Sequence, residues 1–287
     1  DRVGNAAIRP FQRGNPRHFG VAQGEIEHLE IVGDALRIRR ARNGGDILLT
    51  GIEGSTSASR GIYGYTNLAS VIGNASTPGN ITIVTDSASF STTTGSAINA
   101  RNLLIVPRTA GVGVGLGCAT DPRGGPLNLS GTELGTMNAP NIQLGNSSTG
   151  NFSITSLTSP TIPSGSNLTL VSNSAASTGI SSAGYLYMTA GKTLNISALP
   201  AVNTRVNGTT VMTGYDQLSV TGTNLSIAGK TLNLSGNYTS NGGDVFTIAT
   251  ATSLTGTFTG LANGSTTTLN GRTLLVNYTP TTVTLTE

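Results

Sequence analysis

Two pairs of tyrosines have the residue type and spacing that best suit the binding of a ligand. Tyr63 and Tyr65 lie in the stretch GIYGYTN, and Tyr185 and Tyr187 lie in GYLYMTAG. In an extended strand residues i and i+2 point to the same side, so both rings of a pair share one face. Such a face can stack on a sugar or pack against a partner protein. We name these four tyrosines as candidate ligand contacts. The alternative is that the rings belong to the core or to a stacked ladder.

Paired carboxylates, which the hydrolysis of a glycosidic bond requires, are scarce in this chain. After Glu133 the only acidic residues before the last position are Asp216 and Asp244. Each stands in a turn-like stretch, GYDQ or GGDV, and neither has an acidic neighbour in sequence. Both are therefore predicted to cap turns.

The other polar clusters also fit a structural role better than a chemical one. Asp121 and Arg123 lie in CATDPRGG, which is typical of a turn. The acidic residues of 25–30 alternate with apolar ones, as on a solvated strand face. Cys118 and two histidines cannot form a zinc site of the usual spacing.

The stretch GVGVGLG lacks the Lys-Ser/Thr ending of a phosphate loop. The sequence therefore predicts no catalytic residue, no cofactor and no metal site, and we expect that the protein is not an enzyme.

Charge is sparse, at 10% of the 287 residues against about 25% in an average soluble protein. The net charge is +3, and most arginines crowd the first 42 positions, where Glu and Asp lie among them. Because this segment is mixed in sign, no nucleic-acid binding is predicted. No run of about 20 apolar residues occurs, so no direct membrane insertion is predicted either.

Short runs in which apolar and polar residues alternate dominate the chain, and this period of two indicates strands with one buried face. The residues 22–32 could also form a helical turn, but the alternation that follows them favours a strand. The runs are DILLTGI (46–52), ITIVTDS (81–87), NLLIV (102–106), LNLS (127–130), NIQLG (141–145), NFSITSL (151–157), NLTLVS (167–172), TLNISA (193–198), QLSVTG (217–222), DVFTIATA (244–251), TLLVNY (273–278) and TVTLTE (282–287).

Similar runs recur about every 20–26 residues, as from Leu103 to Leu127, from Leu168 to Leu194 and from Leu194 to Leu218. This period is typical of a solenoid. We therefore predict an all-β chain folded as a right-handed parallel β-helix, with turns stacked about 4.8 Å apart. Stacked charges would repel, whereas stacked Asn, Ser and Thr can hydrogen-bond along the axis. The inward residues predicted around the turn at 228–231 are Leu225, Ile227, Leu232 and Leu234.

The competing fold is a β-sandwich, in which antiparallel strands are joined by hairpins. Hairpins stay open as an alternative, particularly near the C-terminus, because Asn-Gly pairs favour them. These pairs are Asn43-Gly44, Asn207-Gly208, Asn241-Gly242 and Asn263-Gly264.

Three segments follow from these patterns. Residues 1–45 are predicted to be an N-terminal edge or cap, residues 46–222 the main β-helical turns, and residues 223–287 the C-terminal turns and cap.

The stretch IPSGSNLTLVSN…GYLYMTAGKTLNISA (162–198) resembles coils of filamentous-haemagglutinin-like exoproteins, which two-partner systems secrete. Residues 231–287 resemble the sequence pattern that is often found at the end of the passenger of an autotransporter. The residues that carry this second resemblance are Gly243/Phe246, Gly256/Phe258, Leu274/Val276/Tyr278 and Val283/Leu285.

The resemblance implies a β-helix on the bacterial surface or outside the cell, and it carries over no catalytic residue. The chain lacks the secretion domain and the outer-membrane barrel of such proteins. We therefore expect a piece of a longer passenger whose export partner, an outer-membrane pore or barrel, is not in this chain.

The expected function is that of a stiff, adhesive stalk that mediates cell adhesion or biofilm contact. Its expected partners are glycans or surface proteins of host or neighbouring cells, or further copies of itself. Two alternatives come from other classes. One is a carbohydrate-active β-helix enzyme, a polysaccharide lyase or hydrolase, and the other is a β-sandwich binding module.

Overall fold

The structure is a computed structural model that describes residues 21–22, 25–32, 35–42, 46–51, 61–64, 69–117, 126–155, 166–175, 178–183, 185–188, 192–239 and 241–287. The described part of the chain is all-β: about half of its residues are strand and almost none is helix. Its sheets are mostly parallel.

The strands are numbered in chain order. The first fourteen are β1 (Val21–Ala22), β2 (Glu25–Val32), β3 (Ala35–Arg42), β4 (Ile47–Thr50), β5 (Ile62–Gly64), β6 (Val71–Gly73), β7 (Asn80–Val84), β8 (Ala88–Ser89), β9 (Ala97–Asn99), β10 (Asn102–Val106), β11 (Val114–Leu116), β12 (Leu127–Leu129), β13 (Met137–Asn138) and β14 (Asn141–Leu144). The other fourteen are β15 (Phe152–Thr155), β16 (Asn167–Val171), β17 (Gly179–Ala183), β18 (Tyr185–Tyr187), β19 (Leu194–Ala198), β20 (Ala201–Arg205), β21 (Leu218–Thr221), β22 (Asn224–Ser226), β23 (Thr231–Ser235), β24 (Val245–Thr250), β25 (Ser253–Thr255), β26 (Thr266–Leu269), β27 (Arg272–Tyr278) and β28 (Thr282–Thr286). In the described part of the chain, the helix is the single turn α1 (Gly131–Leu134).

These strands form four larger sheets and one pair. The first sheet has the order β1-β4-β7-β10-β14-β16-β19, and the second has β12-β11-β15-β17-β20-β23. The third has β13-β9-β6-β3-β5-β8, with β2 paired to β3, and the fourth has β18-β21-β24-β28-β27-β26. The pair is β22–β25. Most neighbours are separated in sequence by other elements, because a parallel pair needs a crossover connection.

Every alternating run named from the sequence contains a strand, and residues 25–32 form the strand β2, as favoured over a helix.

The predicted spacing between partner strands is only partly right. Leu168 and Leu194 are register partners, but Leu103 pairs with Ile142 instead of Leu127. Leu218 lies in the fourth sheet, opposite Ala249, and not beside Leu194. The chain between β10 and β14 is longer because β11, β12, α1 and β13 lie between them in other sheets.

The core of the first sheet is a stack of aliphatic side chains in register. Each contributes about 1.5–3 kcal/mol on burial, and all are at most 6% exposed. The stack is Ile47, Ile81, Leu103, Ile142, Leu168 and Leu194.

Four residues were predicted to point inward around the turn at 228–231, and only the two that precede the turn are fully buried. Leu225 and Ile227 are fully buried. Leu232 and Leu234 are only half-buried, because their strand β23 is the last of the second sheet.

Both ends of the chain contain antiparallel pairs. At the start, β2 and β3 form a hairpin, and β3 continues in parallel with β5 and β6. At the end, β24 pairs with β28, β28 with β27, and β27 with β26, all antiparallel. The hairpin between β26 and β27 turns at Asn270 and Gly271, both with positive φ, as a type I′ turn requires. This Asn-Gly pair is not one of the four named above.

Candidate functional surface

The described tyrosines of the two candidate pairs lie in different sheets. Tyr63 is in β5 of the third sheet, where its register partners are Arg37 and Ser89. Tyr185 and Tyr187 are in β18 of the fourth sheet, opposite Ser219 and Thr221. Tyr65, and the side chains of the other three tyrosines, lie outside the described residues. The backbone of Tyr63 thus lies in a different sheet from that of Tyr185 and Tyr187.

A row of hydrogen-bonded polar side chains, four of them asparagines, runs along the first sheet. We call this row the asparagine ladder. Its members stand just before or at the start of successive strands of that sheet. They are Asp46, Asn80, Asn102, Asn141, Asn167 and Thr193.

The bonds of the asparagine ladder all run in one direction. Asn102 Nδ2 donates to Asn80 Oδ1 over 2.8 Å, and Asn141 Nδ2 donates to Asn102 Oδ1 over 3.1 Å. Asn167 Nδ2 donates to Asn141 Oδ1 over 3.0 Å. At the ends, Asn80 N donates to Asp46 Oδ1, and Thr193 N donates to Asn167 Oδ1. The predicted axial hydrogen bonding between stacked polar side chains is thereby confirmed at this position.

The sequence analysis missed the ladder itself. Its signal is an Asn directly before the apolar alternation in NITIV, NLLIV, NIQL and NLTLV. An amide is suited to this position because it carries both a donor and an acceptor, so identical residues about 4.8 Å apart can bond to one another.

Beside the ladder, the outward face of the first sheet is uncharged. One row of register partners crosses it, and every member is half-exposed or exposed. The row is Leu48, Thr82, Leu104, Gln143, Thr169 and Asn195. Amide and hydroxyl groups on a parallel sheet offer donors and acceptors at regular spacing, with aliphatic area between them. This chemistry suits the hydroxyl-rich surface of a glycan or an uncharged protein surface.

The acidic side chains that the structure describes all make hydrogen bonds or ion pairs within the protein. Their partners are Asn80 N for Asp46, Thr109 for Asp86, Phe90 N and Ser130 for Glu133, Arg205 for Asp216, Asn241 N and Tyr238 for Asp244, and Arg272 for Glu287. These carboxylates hold turns and connect segments distant in sequence.

Glu133 shows this role clearly, because it is buried. Its Oε2 accepts from the N and Oγ of Ser130 in a capping box at the start of α1. Its Oε1 accepts from Phe90 N over 2.8 Å, across 43 residues of sequence.

The prediction that Asp244 caps a turn is confirmed, since its Oδ2 accepts from Asn241 N over 2.7 Å. Asp216 has a different structural role. Its Oδ1 pairs with Arg205 at 3.1 Å and its Oδ2 accepts from Arg205 N, which closes the base of the loop 206–215. Asp244 thus holds a turn, whereas Asp216 holds the two ends of a loop together.

Burial shifts the pKa of ionisable side chains in the C-terminal part of the chain, Lys230 and Tyr278 among them. Burial lowers the pKa of Lys230, whose Nζ donates to Ser197 O over 2.7 Å. Burial raises the pKa of Tyr278, whose hydroxyl donates to Leu261 O and accepts from Phe258 N. Both groups thus tie the last turns to neighbouring segments.

Among the described residues, no three His, Cys, Asp or Glu side chains come together as metal ligands. In the same residues no helix is long and apolar enough to cross a membrane. Cys118, His18, Asp121 and Arg123 lie outside the described ranges. For the acidic run of 25–30, the structure gives the backbone strand β2.

No protein-family model matches the chain, and neither a curated protein nor a solved structure matches it.

Proposed function

We propose that the chain is a right-handed parallel β-helix that serves as a structural and adhesive segment of a bacterial exoprotein. The parent protein would be secreted or surface-anchored, of the filamentous-haemagglutinin-like or autotransporter-passenger type. An outer-membrane pore or barrel outside this chain would export it.

The observation that carries the proposal is the register of the first sheet. Strands that begin 22, 39 and 26 residues apart pair in parallel, and their amide side chains bond along the row. A chain that winds in one sense and stacks each turn on the previous one accounts for this pairing. Continuous backbone bonds between turns would make such a rod stiff, which suits a stalk.

The proposed partners are glycans or surface proteins of host or neighbouring cells, and further copies of the chain. The uncharged outward face of the first sheet supports this choice, because neutral hydroxyls and amides dominate it. The tyrosine pairs Tyr63/Tyr65 and Tyr185/Tyr187 are proposed as further ligand contacts.

The β-sandwich alternative fits the chain less well, since its strands would pair antiparallel whereas most pairs here are parallel. The enzyme alternative needs carboxylates gathered around a bond. The carboxylates described here instead bond to separate backbone and side-chain partners within the protein.

The proposal is tested by displaying the chain on a non-adherent bacterium through an unrelated anchor. Attachment to cultured cells and to glycan-coated surfaces is measured, together with clumping of the bacteria. We expect attachment or clumping well above that of bacteria carrying the anchor alone. The double substitution Tyr185→Ser with Tyr187→Ser should reduce attachment while circular dichroism stays unchanged.

Two results would contradict the proposal. One is a displayed, folded chain that adds no attachment and no clumping. The other is the appearance of new reducing ends or unsaturated products when the purified chain is incubated with acidic polysaccharides, which would favour the enzyme.

A further inference from the structure

The last strand of the second sheet has one side without a strand partner. β23 pairs with β20, and among the described residues no strand pairs with its other side. We call that side the open edge of β23. An unpaired edge presents backbone donors and acceptors that can template another strand.

The register shows which backbone groups face the open edge. Thr231 N donates to Pro200 O, and Val206 N donates to Ser235 O, so the odd-numbered residues of β23 bond to β20. Because neighbouring residues of a strand direct these groups to opposite sides, those of Leu232 and Leu234 face the open edge.

The C-terminal segment hydrogen-bonds to the two ends of this edge. Thr259 N donates to Lys230 O over 2.8 Å, and Asn270 Nδ2 donates to Gly236 O over 3.3 Å. Between these two contacts lie the N–H and C=O groups of Leu232 and Leu234. The open edge therefore has the length of a strand of about three residues.

The side chains at the edge also lack a complete cover. Val202 and Thr204, the register partners of Leu232 and Leu234, are at most 2% exposed. Leu232 and Leu234 themselves are only half-buried. A strand stacked on β23 would cover them as β23 covers β20.

We propose that the open edge of β23 binds one extended segment of a partner polypeptide, added as a further strand. Its chemistry follows from the groups that Leu232 and Leu234 present at the open edge, which are uncharged backbone groups and half-buried apolar side chains. The segment is uncharged, with apolar residues over Leu232 and Leu234.

The partner segment is not the β23 edge of a second folded copy. In each copy the segments that contain Thr259 and Asn270 lie at the two ends of the edge. If two copies met edge to edge, these segments of both copies would lie between them. The inference does not depend on the adhesive role, since it concerns a different part of the molecule.

The test uses a labelled hexapeptide, acetyl-TLNLSG-amide, and a peptide of the same composition in the order TNLSLG. We expect saturable binding of the first peptide by fluorescence anisotropy and at least tenfold weaker binding of the second. Bound peptide should slow hydrogen exchange at the amides of Leu232 and Leu234, and not at Thr231 and Asn233.

A matched pair of variants isolates the backbone contribution. Leu234→Pro and Leu234→Ala both remove the side chain, but only proline removes the N–H at the open edge. If both variants keep the parent's circular dichroism, the proline variant should bind the peptide at least tenfold more weakly than the alanine variant. Equal binding by the two variants, equal binding of the two peptides, or no slowing of exchange at Leu232 and Leu234 would overturn the proposal.

Discussion

At the scale of single residues, the asparagine ladder should contribute measurably to stability although it lies on the surface. Asn102 bonds to Asn80 on one side and to Asn141 on the other. Each such bond contributes about 0.5–1.5 kcal/mol net. We expect Asn102→Ala to lower the free energy of unfolding by about 1–2 kcal/mol, measured by urea unfolding.

A matched control for this prediction is Asn224→Ala. Asn224 is also exposed and also begins a strand, but no ladder bond joins it to a neighbouring amide in the described structure. Its substitution should change the free energy by no more than about 0.5 kcal/mol. Equal losses in the two variants would show that strand-start asparagines matter for another reason.

The buried Lys230 predicts a pH dependence whose sign is determined by its lowered pKa. The folded protein releases the lysine proton at a lower pH than the unfolded chain does, whose lysine keeps its ordinary pKa near 10.5. Between the two pKa values the unfolded state binds more protons, so stability rises with pH through that window.

The measurement compares the wild type with Lys230→Met from pH 7 to pH 10.5. We expect the free energy of unfolding of the wild type to rise relative to that of the variant as pH increases. Both proteins keep Tyr238 and Tyr278. Burial raises the pKa of each tyrosine, for Tyr238 together with the nearby Asp244, and these opposite effects cancel in the comparison. A difference that stays constant or falls would contradict the account of Lys230.

At the scale of elements, strand ends depend on glycines that let neighbouring strands approach closely. Gly145 follows β14 with a φ of +79°, and a Cβ there would collide with the carbonyl oxygen of Val171. Gly111 has nearly the same φ, +82°, but open space around it. Alanine in the left-handed region costs about 1–2 kcal/mol.

We therefore expect Gly111→Ala to lower the free energy of unfolding by about 1–2 kcal/mol, and Gly145→Ala to lower it by clearly more. Thermal and urea unfolding of both variants measure the difference. Equal losses would mean that the chain can separate at Val171 without cost, and close stacking of β14 on β16 would be wrong.

The sequence predicts strands well and their partners less well, for a physical reason. Alternation reports which face of a strand is buried, as in NITIV and NLTLV, but LNLS and QLSVTG contain strands that are buried on both faces. It does not report the length of chain between partners. The segment between Leu103 and its partner Ile142 contains strands that join other sheets, so the spacing of leucines points to the wrong pair.

The type of hydrogen bonding on the candidate surface could be predicted from the sequence, but its position could not. The low charge predicted hydrogen bonds between stacked polar side chains, and the ladder confirms them. Its position required the register, since Asn102 and Asn141 stand 39 residues apart. The hairpin at Asn270 and Gly271 has a strong local signal in the sequence, which is Asn-Gly between two alternating runs.

At the scale of the whole molecule, the central claim is that successive turns stack in parallel and in register. Thr82, Leu104 and Gln143 test it, because they follow one another in register on neighbouring strands of the first sheet and are half-exposed. Adjacent strands lie about 4.8 Å apart, so the first and third of these residues are separated by about twice that distance.

The most direct measurement replaces these residues in pairs by cysteine in a Cys118→Ser background and adds dibromobimane, which fluoresces once both arms have reacted with thiols. The account predicts rapid cross-linking of the 82/104 and 104/143 pairs and little cross-linking of the 82/143 pair. Cross-linking of 82/143 as fast as that of the adjacent pairs, or none at 82/104 and 104/143 in folded protein, would contradict the stacked register on which the proposed β-helix rests.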